Sequence, residues 1–229
     1  MTRQPIWLRP GPEPGVGRPP EWSCELITTA AVAVADAEGL AAVTMRRVAA
    51  ELGAGAASLY RHVATRDDLV DLMVDRALGE MDPIPDTGHW RADVVAAHLA
   101  RLRCLRLRPW VLDGILSRPP IGPNSLRMTE ETLRLLAPHP APGSAKMEAI
   151  TVLAGLLNTI AQHERPRRGI PDHEFLAAQM TLLHRAVSDG AHPHLAAAFA
   201  NPDPHSNEAP DERLGRILNL VLDGLLPEP

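Results

Sequence analysis

The stretch Thr44-Met45-Arg46-Arg47-Val48-Ala49-Ala50-Glu51-Leu52-Gly53-Ala54-Gly55-Ala56-Ala57-Ser58-Leu59-Tyr60-Arg61-His62-Val63 decides the fold. In its first half Met45, Val48, Ala49 and Leu52 make the one-sided apolar stripe of a helix. Thr44 stands just before that stripe, where its hydroxyl can accept a backbone N–H and cap the helix. Leu52-Gly53 breaks the periodicity, and a second short helix follows, carrying Leu59, Tyr60, Arg61 and His62. Two short helices meeting at a glycine form a helix-turn-helix pattern. Small residues at Ala49, Gly53 and Ala54 let the pair cross closely, with Leu52 and Leu59 as the buried contact.

The flanks extend the pattern to a four-helix unit. Glu25 to Glu38 reads as a helix with Ile27, Ala30, Ala31 and Val34 on one face, and Gly39 is free to take the positive φ that ends it. Thr65-Arg66-Asp67-Asp68-Leu69 opens a fourth helix: Thr65 and Asp68 have capping-box spacing, and Asp67 and Asp68 favour the positive end of the helix dipole.

These elements, in this order from about Glu25 to Leu78, resemble the DNA-binding region of the TetR (tetracycline repressor) family. The resemblance implies double-stranded operator DNA as a partner and assigns roles by motif position. Tyr60 and His62 correspond to side chains that contact the phosphate backbone, and Arg66 is placed for another phosphate. Arg46 can reach a phosphate or a base edge, while Ser58 and Arg61 lie on the groove-facing side of the third helix. Taken singly, His62 also reads as a core histidine and Tyr60 as a packing residue. The chain departs from the family pattern at Gly55, where a Ser or Thr cap is more usual, and at Ala54, Ala56 and Ala57, which offer thymine methyl contacts but no hydrogen bonds.

Composition agrees with an all-α chain. Of 229 residues 45% are apolar and 3% aromatic, long period-2 runs are absent, and 23 prolines with 16 glycines cut the chain into helix-length segments. A net charge of −5 argues against a protein that coats nucleic acid nonspecifically. It leaves room for a local basic surface, and Arg46, Arg47, Arg61 and Arg66 flank the turn. The plain alternative for them is a solvated face. Lys146 is the only lysine, so nearly all positive charge is guanidinium, suited to bidentate phosphate or guanine contacts.

Three regions are expected: a flexible proline-rich arm over 1–21, the DNA-binding unit over 22–82, and a helical ligand-binding and dimerisation domain over 83–229. In the arm, Arg18 reads as a minor-groove contact or, more simply, as part of a disordered tail. Beyond the break at 81–86, helices are expected near 89–107, 110–117, 124–136, 144–164, 172–189, 192–200 and 210–226. Ala149, Leu153, Leu156 and Ile160 form a seam, and Leu214, Ile217, Leu218, Val221, Leu222 and Leu225 make the last helix apolar over a wide arc. The family resemblance implies that the last helix and one before it build a four-helix bundle in a homodimer; burial within one subunit is the alternative. It also implies a small-molecule effector of unknown chemistry bound among the C-terminal helices. Polar or soft residues that interrupt apolar faces there are His98, Asn124, Met128, Asn158, Gln162 and Gln179.

Competing classes are a helical ligand-binding dimer without operator binding and an enzyme. His184, His192, His194 and His205, with Asp189 and Asp203, lack the short repeated spacing of a metal hydrolase, and no phosphate loop, nucleophile elbow or Cys-x-x-Cys pair is present. No catalytic residue, metal or cofactor is expected. Cys24 and Cys104 suggest no disulfide framework, and no apolar run approaches a membrane span, so a cytoplasmic protein is expected.

Overall fold

The computed structural model describes residues 4–9, 22–165, 172–201, 205 and 207–227. Arg18 and Asp203 lie outside these residues. Among the described residues the fold is all-helical and has no strand, with eleven α-helices in chain order. They are α1 (Cys24–Glu38), α2 (Met45–Glu51), α3 (Ala56–Leu59), α4 (Arg66–Gly79), α5 (Trp90–Leu107), α6 (Pro109–Ser117), α7 (Pro123–Leu135), α8 (Gly143–His163), α9 (Asp172–Ser188), α10 (Pro193–Ala200) and α11 (Pro210–Leu225).

The local signals act as their chemistry demands. Thr44 Oγ1 accepts the Arg47 N–H at 3.0 Å, and Thr65 Oγ1 accepts that of Asp68 at 3.2 Å. Gly53, at φ 64°, closes α2: its N–H reaches Ala50 O at 3.2 Å while the Ala54 N–H reaches Ala49 O at 2.8 Å. This paired bonding requires positive φ and leaves α3 to restart at a fixed angle. Gly55 caps α3 without a side-chain bond. Ile27, Ala31, Val34, Val48, Ala49, Leu59, Leu69 and Met73 are buried together and form the core of this unit.

α4 leaves that core and enters the second one. It packs on α1 of the first unit and on α6 and α7 of the second body. The approach is close: a Cβ on Gly114 would fall 2.4 Å from Val74 Cγ2, and one on Gly122 would fall 2.3 Å from Asp75 Oδ1. The body is built from α5, α6, α7, α8 and α11, with Leu102, Leu112, Leu153, Leu157, Leu218 and Leu222 at its centre. α9 and α10 pack chiefly on each other.

Two expectations are corrected. The arm is not structureless throughout: Ile6–Leu8 form a 3-10 turn, and Arg9 makes a bidentate pair with Asp68, its two Nη atoms 2.8 and 2.9 Å from the carboxylate oxygens. Six prolines exclude a long element but not one short turn held by an ion pair. The apolar seam of α8 is also not wholly an outward face. Ala149 and Leu153, with Leu157 and Ala161, point into the subunit core, as do Leu214, Leu218 and Leu222 of α11. Leu156, Ile160, Ile217, Val221 and Leu225 are half-buried, and Leu220 is 59% exposed.

Candidate DNA interface and effector cavity

α2 and α3 present a surface of side chains that the protein itself leaves unused. Arg46 and Arg61 are exposed, Tyr60 is 52% exposed, and Ser58 and His62 are half-exposed. Among the described residues none of these five side chains is hydrogen-bonded or ion-paired within the chain. α3 ends at Leu59, and Tyr60 to His62 continue it as a turn, with the His62 N–H on Leu59 O at 2.9 Å. Buried Leu59 anchors this segment, so Ser58, Tyr60, Arg61 and His62 stand on a fixed scaffold. Cys24 Sγ donates to the His62 carbonyl at 3.3 Å, tying the end of the turn to α1.

The remaining arginines of the turn are committed elsewhere. Arg47 bridges Glu38 and Glu51, each at 2.8 Å. Arg66 points Nε at Val43 O (2.7 Å) and Nη2 at Leu40 O (2.8 Å), so most of its fork holds the loop before α2 and only Nη1 is left for a phosphate.

A cavity of about 650 Å³ opens in the body between α5, α7 and α8, with Leu78 of α4 and Met81 as part of its wall. Of the sequence candidates, His98, Met128 and Asn158 line it. Asn124, Gln162 and Gln179 do not: Asn124 is tied to Asp75, and Gln162 and Gln179 lie exposed on α8 and α9. His98 is buried, with Nδ1 2.7 Å from Val94 O, and burial pulls its pKa from 6.5 down to about 4. The ring is therefore neutral at physiological pH. Arg101, one turn further along α5, also lines the cavity, and the sequence reading missed it. The available signal was its i+3 spacing from His98 on one helix face.

The cavity and the DNA-binding unit are joined by polar struts. Buried Asp75 of α4 accepts from the backbone N–H groups of Asn124 (3.0 Å) and Ser125 (3.1 Å) and from Asn124 Nδ2 (2.9 Å). Gly122, the residue that should cap α7, has no side chain, so a carboxylate from another helix does this work. Trp110 Nε1 of α6 donates to Asp36 of α1 at 2.6 Å, and Arg108 pairs with Glu80. Among the described residues no three His, Cys, Asp or Glu side chains gather as a metal site; His194 lies in the first turn of α10 and His205 pairs with Glu208. Cys24 and Cys104 are free thiols.

A scaffolded turn with unused cationic and hydroxyl groups, carried on a helix that runs into a second all-helical body, defines a helix-turn-helix regulator that binds DNA. The chain belongs to the TetR family: residues 27–73 match "Bacterial regulatory proteins, tetR family", and residues 82–228 match "Tetracyclin repressor-like, C-terminal domain". It is 35% identical to the HTH-type transcriptional repressor DrrR1 of Streptomyces coeruleorubidus over 224 residues, 94% of this chain and 81% of the relative. Among solved structures, apo ActR from Streptomyces coelicolor superposes with TM-score 0.74 at 29% identity, over 92% of this chain and 97% of that one. ActR in complex with actinorhodin gives TM-score 0.75 at 29% identity, over 90% and 96%. Members of this family are transcription factors, so the enzyme reading falls away.

Proposed function

We infer that the protein is a homodimeric repressor that holds a palindromic operator in its free form and releases it when a small molecule enters the cavity. One observation carries this reading: the cavity and the DNA-binding unit share a helix. Leu78 of α4 is part of the cavity wall, and Asp75, three residues earlier, caps α7, which supplies more of that wall through Met128 and Thr132. A ligand that displaces α7 pulls on α4, and α4 passes a rigid-body shift to α2 and α3. A hundredfold loss of operator affinity requires the effector to bind the DNA-free conformation about 2.7 kcal/mol more tightly. ActR, solved both empty and with actinorhodin, supports a ligand role for the corresponding region.

In this reading Tyr60 and His62, with the remaining Nη1 of Arg66, hold phosphates, while Ser58, Arg61 and Arg46 read base edges. His98, Met128 and Asn158 touch the effector. Dimerisation supplies the second recognition helix, about 34–36 Å away or one DNA turn. Its support is apolar surface without a partner in one subunit: Leu220 of α11, Val152 of α8, and Phe175, Leu176, Met180 and Leu182 of α9. No helix among the described residues is long and apolar enough to cross a membrane, in keeping with action on DNA in the cytoplasm.

The test is to sequence genomic fragments retained by the purified protein, then titrate thermal-shift hits into the complex with the enriched duplex. Enrichment of an inverted repeat and release by cavity ligands are expected. Hits that stabilise the protein yet leave operator affinity unchanged would refute the sensor role.

A further inference from the structure

The cavity wall is largely apolar, and the polar groups that interrupt it leave a charge unanswered. Arg101 lines the cavity from α5, and among the described residues its guanidinium has no hydrogen bond or ion pair; its Nε is closed off from solvent. Burial pushes its pKa below the ordinary arginine value. The carboxylates in the same wall do not offset it: Glu131 is held by Arg127 at 2.6 Å, and Asp82 is exposed. Asn158 of α8 lines the same space, with a buried Oδ1 that has no donor. His98 Nδ1 faces the Val94 carbonyl, which only accepts, so Nδ1 carries the ring proton and neutral Nε2 is an acceptor.

The lining therefore combines one uncompensated cation with two acceptors among apolar side chains. A guanidinium held partly out of water, its Nε enclosed and its Nη atoms open, is destabilised without a counter-charge, and an anion reaching the Nη atoms offsets that cost. Because no described residue pairs with it, any pairing anion comes from outside the chain. A guanidinium fork fits the two oxygens of an ionised acid.

We propose that the effector is an amphipathic acid: a mostly apolar molecule of drug-like size with one ionised oxygen acid against Arg101 and a hydroxyl or N–H donor for Asn158 Oδ1 or His98 Nε2. This rests on the reading of the cavity as the effector site. It also excludes purely cationic and wholly neutral apolar molecules as tight ligands.

Two fluorescent probes that share a ring skeleton, anilinonaphthalene sulfonate and uncharged phenylnaphthylamine, separate the charge from the apolar contact. They would be titrated into the full-length wild type, Arg101→Met and Arg101→Lys, with melting followed in parallel. The wild type should bind the sulfonate at least about tenfold more tightly than the neutral probe, in line with a charge-assisted pair. Arg101→Met should abolish that preference, keep affinity for the neutral probe, and melt no lower than the wild type. Arg101→Lys should retain part of the preference. Binding to exposed apolar surface on α9 and α10 is common to all three proteins and cancels in the comparison. An equal affinity for both probes in the wild type, a preference that survives Arg101→Met, or a marked fall in its melting temperature would each overturn the proposal. The same probes added to the protein–operator complex keep the two readings apart. Arg101-dependent binding without operator release sinks the sensor reading and leaves the acid site standing, whereas release that ignores Arg101 does the reverse.

Discussion

Replacing Asp75 by alanine should both destabilise the protein and disconnect the cavity from the DNA-binding unit. Asp75 is 4% exposed and accepts from three donors at the start of α7, at 2.9, 3.0 and 3.1 Å. Hydrogen bonds to a charged group contribute about 1.5–3 kcal/mol each, and loss of a helix cap alone costs about 0.5–2 kcal/mol. These terms overlap, because the donors belong to one helix end and water can reach some of them once the carboxylate is gone. A net loss of about 2–4 kcal/mol follows. In a protein of this size each kcal/mol shifts Tm by about 2–4 °C, so the midpoint should fall by about 5–15 °C. Asp75→Asn keeps the shape and one acceptor oxygen and should lose less. The functional readout is the ratio of operator Kd values with and without a cavity ligand, measured by fluorescence anisotropy below the melting range. That ratio should move toward one in Asp75→Ala while operator affinity in the free state is largely kept, since α2 and α3 are anchored through Leu59 and not through α7. A variant that melts within a degree of the wild type, or that responds to ligand with the wild-type ratio, would refute the assignment of this cap as the link.

Tyr60→Phe and His62→Ala should weaken binding to all duplexes alike, because phosphate contacts carry no direct sequence information; competition with random duplex checks this. Arg61→Ala should cost about 1–3 kcal/mol and relax the preference at one base pair, read by binding-site selection. His98, with a pKa lowered from 6.5 to about 4 in the fold, contributes stability that is complete above pH 6.5 and drains away as pH falls toward 4. Denaturant titrations should therefore show about 2 kcal/mol lost between pH 7.5 and 5 through this group, and His98→Leu should lack that component. Leu220→Glu places a charge on the exposed side of α11 and should shift the protein to monomers in light scattering with its helicity intact.

What the sequence disclosed follows the range of each signal. Thr44, Gly53 and Thr65 act within five residues of themselves, so the first four helices and their caps could be read directly, and prolines and glycines bounded the later helices. Long-range chemistry was hidden. Asp75 caps a distant helix through Asn124, 49 residues on, and nothing in its own turn announces this. Arg66 has the position of a phosphate contact, yet two of its nitrogens turn back 23 and 26 residues to carbonyls. Asn124 looked like a cavity residue because it interrupts an apolar face, and it is instead a donor to Asp75. Arg101 sits among Arg91, Arg103, Arg106 and Arg108 and resembles a solvated charge in the sequence, whereas the fold makes it part of a cavity wall shared with α7 and α8.

The central claim is that the surface of Arg46, Ser58, Tyr60, Arg61 and His62 binds a specific duplex. The most direct measurement is the affinity of the full chain for the duplex it enriches, followed by anisotropy from 50 to 200 mM salt. If a dimer neutralises roughly six to ten phosphates, affinity should fall by about 10³ to 10⁵-fold over that range, at two chains per duplex. No enriched duplex, or an affinity indifferent to salt, would contradict the account.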